Sequence, residues 1–186
     1  MTLEEKEKAI IEHYNVMPQL KHFQSEVWEL NQAIFEYEYV YDEYGYRYDE
    51  VEISIKKDII EELADNLFMV KQFPIYYYEL LDCHNIAPYE FKTDNYEHIE
   101  DILEYLKNFQ KEEICKLTCE IAIAEEREQD YISEYRYEII TEAVDNVIYK
   151  LKSIQAYYNI SDKEIEEVMQ YKADRQLKRI DKEKRG

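Results

Sequence analysis

Apolar residues recur three and four positions apart along most of this chain, as in the ladders Leu20, Phe23, Val27, Leu30 and Ile114, Leu117, Ile121, Ala124. That period is the signature of helices with one buried face. It predicts helices over about 2–14, from Pro18 to about 40, and over about 56–72, 96–129, 132–158 and 161–182. Pro18 suits a first helical turn. Pro74 interrupts or kinks the helix before it, because proline has no N–H to donate and its ring clashes with the preceding turn. Gly45 breaks a Tyr-rich acidic stretch, "YEYVYDEYGYRYDEVEIS", and a short helix and loop fill the segment before Asp94. Ser161 with Glu164 three residues on forms a capping box for the last helix. The fold class expected is all-α, a helical bundle with residues 1–186 as a single domain.

The polar positions repeat as well. Ile59, Ile60, Glu62, Asp65 and Asn66 recur 80 residues later as Ile139, Ile140, Glu142, Asp145 and Asn146, and Tyr77 and Tyr78 recur as Tyr157 and Tyr158. The two ladders quoted above are 94 residues apart. A duplication, residues 16–90 and a degenerate copy at 110–182, explains both offsets if the second copy lacks the Tyr-rich insert between its helices. The competing explanation is that amphipathic helices resemble one another by chance.

Composition narrows the function classes. Only 2 glycines and 3 prolines leave few turn signals for a β sandwich or barrel. A formal charge of -20 excludes a general grip on nucleic-acid polymers, which needs clustered Lys and Arg. No apolar window is long enough to cross a membrane, and the acidic amphipathic start is unlike a secretory signal, so a cytoplasmic protein is expected. Cys83, Cys115 and Cys119 fit reduced thiols, and the one-turn spacing of the last two lacks a nearby histidine for a metal site. His13, His22, His84 and His98 are scattered, and none reads as catalytic.

Within this acidic chain one pattern stands apart. Glu62 and Asp65 occupy neighbouring positions on a helix whose other residues, including Phe68 and Met69, look built for burial. Enclosed carboxylates repel one another and take up protons unless a cation compensates. The preceding long helix carries Glu26 and Glu29 at the same spacing. Antiparallel packing of the two helices brings the four together as an oxygen-only set suited to Mg²⁺ or Mn²⁺. The bland alternative is that 43 acidic residues produce ExxE and ExxD spacings by accident.

The context of these motifs, "QLKHFQSEVWELNQAI" followed by "EELADNLFMV", resembles the MazG-like all-α nucleoside triphosphate pyrophosphohydrolase superfamily, which includes the dimeric dUTPases. The family pattern matches at Gln19 and Leu20, at Glu26, Glu29 and Leu30, and at Glu61, Glu62 and Asp65, but Ser25 stands where an additional acid is common. The resemblance implies that Glu26, Glu29, Glu62 and Asp65 ligate Mg²⁺, with Mn²⁺ as a substitute. It also implies that a metal-activated water splits a nucleoside triphosphate into a monophosphate and pyrophosphate, with Glu61 or Glu62 taking the proton. It makes the duplicated chain a covalent pseudo-dimer of two such helical units, able to pair again as a homodimer.

A basic C-terminal segment, with Lys172, Arg175 and Arg179 on one side of a helix, is expected to bind the triphosphate together with Gln19 and Trp28. Cations near a helix C-terminus also satisfy the macrodipole, an equally good reason for a basic run there. In the second copy Glu120 matches Glu26, but Ile123 replaces Glu29; shifting the frame to Glu125 and Glu128 restores ExxE and breaks the ladder. Glu142 and Asp145 are remnants or an outer contact. Tyr37, Tyr39, Tyr41, Tyr44, Tyr46 and Tyr48 pack against protein more readily than they stack on a base. Two other functions fit the same residues: a nucleotide-binding module of this fold without cleavage, and an acidic helical scaffold.

Overall fold

The computed structural model describes residues 1–44, 49–81, 96–128 and 131–185, and the side chains of all of these except 41–44 and 49–53. The described residues fold into helices α1 (Leu3–Tyr14), α2 (Val16–Tyr44), α3 (Asp49–Val70), α4 (Gln72–Glu79), α5 (Ile102–Phe109), α6 (Cys115–Arg127), α7 (Glu134–Tyr157) and α8 (Asp162–Glu183). A π-helical turn, Gln110–Ile114, joins α5 to α6. The one β contact among the described residues is an isolated bridge between Leu81 and Ile132. No helix among them is long and apolar enough to cross a membrane.

Local chemistry sets the helix boundaries. Thr2 with Glu5 and Ser161 with Glu164 form complete capping boxes at α1 and α8, and Ser133 caps α7. Asn15, at φ 63°, makes the single-residue turn between α1 and α2, its N–H bonded to Ile11 O at 2.9 Å. Asparagine tolerates this left-handed backbone better than most residues. Pro74 lies in the first turn of α4, where its missing N–H has no intrahelical partner to lose, so α3 stops at Val70 and a new helix starts.

The Tyr-rich stretch is more helical than expected. α2 runs on to Tyr44 and α3 begins at Asp49, so the break expected at Gly45 falls in 45–48, outside the described residues. Tyr37 packs edge-on against Tyr158, with ring centroids 5.3 Å apart, which is packing against the body of the protein. Tyr41, Tyr44, Tyr46 and Tyr48, like Cys83 and His84, lie outside the described side chains.

The ladders become one contiguous core. Leu20, Phe23, Val27, Leu30 and Ile34 of α2 face Ile59, Leu63, Leu67 and Phe68 of α3, and the same cluster continues through Leu117, Ile121 and Ala124 of α6 and Ile140, Val144, Val147 and Leu151 of α7. α2 packs on α3, α6 on α7, and α3 on α7; α8 covers α3 and α1. Between α2 and α6, Gln24 Nε2 donates to Thr118 Oγ1 at 3.3 Å.

One charge is carried deep into the packing of α1. Glu7 is 3% exposed and its Oε1 has no hydrogen-bond partner. Burial pushes this carboxyl up to about 8, against the pull of the Lys71 charge, and Glu4 adds to the rise. The unfolded carboxyl, at its ordinary 4.5, ionises first. Folding then requires proton uptake, so the contribution of Glu7 is most favourable below the unfolded value and is lost as pH rises through the folded one. Glu7→Gln is therefore expected to leave the melting temperature nearly unchanged near about pH 4.5 and to raise it by several degrees at about pH 8.5, read by calorimetry across that range. A constant offset at all pH values would contradict the assignment.

Candidate metal centre

Four residues separate α2 from α3, and two long helices joined so tightly and in extensive contact can only pack antiparallel. A buried amide fixes their register. Asn66, 0% exposed, donates from Nδ2 to Glu26 O at 2.9 Å and to Glu62 O at 2.8 Å. The backbones that carry Glu26 and Glu62 are thereby tied to one side chain, and each has a carboxylate oxygen that meets one from Asp65, all three atoms within 4.8 Å of one another.

The electrostatics of the three acids differ. Burial pushes Glu26 up, but the hydrogen bond and charge of His22, a hydrogen bond with Glu62 and the charge of Lys172 together hold it below its ordinary value. His22 Nδ1 lies 2.9 Å from Glu26 Oε1, one turn upstream on α2, and this contact raises the imidazole. Glu62 is pushed up to about 8, first by burial and then by the Glu26 charge, with Lys172 opposing and Asp65 adding. Asp65 is also raised, by burial first and by Glu26, against the bond and charge of Lys172. Burial and the neighbouring carboxylates thus disfavour a full set of charges here, most strongly at Glu62. Like charges packed this closely cannot all ionise without a counter-ion.

Lys172 supplies part of that compensation. It reaches in from α8, is 8% exposed, and bonds Asp65 Oδ2 as well as Glu61 O at 3.4 Å. The three acids sit at the inner wall of an open cleft of about 580 Å³, also lined by Glu29, Ile60, Glu61, Glu164, Glu167, Val168, Tyr171 and Arg175. The donor set is all oxygen, and Glu62 Oε2 is buried without a partner. Oxygens sharing a Mg²⁺ ion lie about 3–4 Å apart, so the cluster needs only slight closing to hold one; the residues fit a hard divalent cation.

The remaining candidates separate into those at the cleft and those away from it. Glu29 lines the cleft but stands apart from the three-acid cluster, exposed and accepting from Ser25 Oγ at 3.2 Å. The i,i+3 spacing turns it about 60° from Glu26, toward solvent. Glu61 and Arg175 line the cleft, Glu61 facing Lys57 at 3.7 Å. Gln19, Trp28 and Arg179 do not line it. Gln19 shares the face of Glu26 but lies two turns away and is buried. Trp28 is 61% exposed, turned about 200° from Glu26. Arg179 lies about 10 Å beyond Lys172 along α8, where its charge acts on Tyr14 of α1. Reading histidines one at a time missed His22, although its i,i+4 spacing to Glu26 was the available signal.

In the second half the equivalent acids are occupied. Arg136 bonds Glu120 and approaches Glu128 at 3.5 Å, and Lys116 bonds Glu142 at 3.1 Å. Glu125 accepts from Tyr77 Oη at 2.9 Å, and Glu128 also accepts from Ser133 N at 2.8 Å. Neither frame of the degenerate motif therefore leaves a free carboxylate pair, and among the described residues Glu26, Glu62 and Asp65 form the one such cluster. Arg136, Glu120 and Glu128 have side chains only 16%, 21% and 23% exposed. Arg136→Met strands two half-buried acids and is expected to cost about 2 kcal/mol in denaturant unfolding, whereas Lys116→Met, at a more exposed pair, should cost under about 1 kcal/mol.

Comparison with protein-family models, with curated proteins and with solved structures finds no match.

Proposed function

We propose that this protein is a Mg²⁺-dependent nucleoside triphosphate pyrophosphohydrolase, as the resemblance of its motifs to the MazG-like superfamily implies. The observation that carries the reading is the meeting of Glu26, Glu62 and Asp65, drawn from two helices 36 or more positions apart, at an open cleft that also presents Lys172 and Arg175. Accidental acidic spacings on a solvated surface would not converge on a buried amide bridge.

Charge decides how an anion enters. Glu26, Glu29, Glu61, Glu62, Asp65, Glu164 and Glu167 face only Lys172 and Arg175 in the cleft, seven carboxylates against two cations. A triphosphate is repelled from such a wall unless divalent cations accompany it. When bound, Mg²⁺ supplies that neutralisation and a water of lowered pKa. Glu26, Glu62 and Asp65 would hold it. Glu61, on the open side of the cleft, would accept the proton of the water that attacks the α phosphorus, and the bridging oxygen would leave with the pyrophosphate. Arg175 balances the charge of the departing pyrophosphate.

The same reading makes the chain two tandem helical units, the covalent counterpart of a dimer. Gln24 and Thr118, which bond to each other, are separated by the same 94 residues as the two ladders. Positions that meet their own equivalents lie beside a two-fold axis. Tyr77, after the first hairpin, donates to Glu125 on α6 at 2.9 Å, while Tyr158, after the second, donates to Glu38 on α2 at 2.7 Å. Each unit thus reaches the first helix of the other.

Pyrophosphate release from a panel of ribo- and deoxynucleoside triphosphates with Mg²⁺ tests the proposal. Wild type is expected to be active and to lose activity with a chelator, and Glu26→Gln, Glu62→Gln and Asp65→Asn should each lower the rate by about 100-fold or more. Nucleotide binding without release, seen by calorimetry, would replace the enzyme by a binding module; neither binding nor release would leave an acidic helical scaffold.

A further inference from the structure

We propose that Lys172 is the built-in counter-ion of the three-acid cluster and exchanges with the divalent cation, so that metal loading turns this lysine out of the cluster and toward the phosphates. The inference rests on reading Glu26, Glu62 and Asp65 as the metal centre.

Its ground is where the ammonium sits. Lysine is rarely buried, and a buried one needs partners. Lys172 is 92% buried, bonded to Asp65 Oδ2 and to a main-chain oxygen of the same helix, and its charge acts on Glu26 and Glu62 as well. An ammonium bonded to Asp65 Oδ2 takes up a carboxylate oxygen that a divalent cation in the cluster would need, and supplies one of the two positive charges such a cation would bring. The two cations also repel each other at short range, with little water between them to screen the repulsion.

The direction of exit follows from the lining of the cleft. Lys172 lines the open cleft together with Tyr171 and Arg175 of α8, and its flexible four-carbon stem lets Nζ leave Asp65 without moving the helix. Once outside the cluster, it stands beside Arg175, where the pair forms a phosphate-binding fork. Metal binding and phosphate binding then strengthen one another, and by linkage the coupling is reciprocal. A lysine that only clamps α8 to α3 would show no such exchange.

Mn²⁺ affinity, measured by electron paramagnetic resonance on wild type and Lys172→Met, separates the two roles without using activity. Loss of the competitor is expected to tighten Mn²⁺ binding by about tenfold, and to abolish the gain in Mn²⁺ affinity that inorganic tripolyphosphate produces in wild type. Equal or weaker Mn²⁺ binding by Lys172→Met overturns the exchange but leaves the metal centre standing; binding by neither protein overturns both. Should Lys172→Met fail to fold, the lysine ammonium resonances of wild type give the answer. A protected signal from Lys172 that is lost on Mg²⁺ addition supports exchange, and one that persists at saturating Mg²⁺ overturns it.

Discussion

Glu26, Glu62 and Asp65 lie close enough to repel one another and deep enough for burial to penalise every charge they keep. Two contacts and a raised carboxyl reconcile this with a folded state: His22 beside Glu26, Lys172 on Asp65, and Glu62 pushed toward its neutral form. Asn66 prevents the alternative solution, in which the acids simply move apart, because its amide ties the backbone of Glu26 to that of Glu62. An exposed trio of acids would relax into water. Here the hairpin forces them to stay, and compensation has to come from elsewhere.

The second half meets the same problem with a different kind of cation. Arg136 belongs to α7 itself and reaches two acids of the neighbouring segment, Glu120 and Glu128. A guanidinium with its planar fork and fixed charge makes a lasting bridge. In the first half the compensating groups are an imidazole, half exposed, and a lysine borne by α8. Glu120 and Glu128 are met by a guanidinium bridge, whereas Glu26 and Asp65 face an imidazole and a lysine.

Much of the architecture was legible from the sequence because helices are governed by local rules. The 3.6-residue ladders, Pro74 and the Ser161 capping box placed most helices within a few residues of their ends. The helices reach further into the Tyr-rich stretch than expected, to Tyr44 and from Asp49, because tyrosine and glutamate do not stop a helix. The cluster itself was legible in three of four members. Spacing along one helix says which residues are neighbours but not how far the partner helix covers them, and Glu29 falls just beyond the cover of α3. Trp28, Gln19 and Arg179 fail similarly, since sequence proximity or helical phase does not measure distance along the axis.

The basic run on α8 shows how depth separates two explanations that the sequence leaves equal. The macrodipole of a helix acts on its last turn, and Lys182 and Lys184 lie there, exposed, at the end of α8. Lys172 stands 11 residues before Glu183, about three turns inside the helix, where the dipole has no appreciable pull. Its burial against Asp65 must be maintained by the acids it faces. The cationic segment is therefore two features run together: an end decorated for the dipole, and an interior lysine and arginine placed at the cleft.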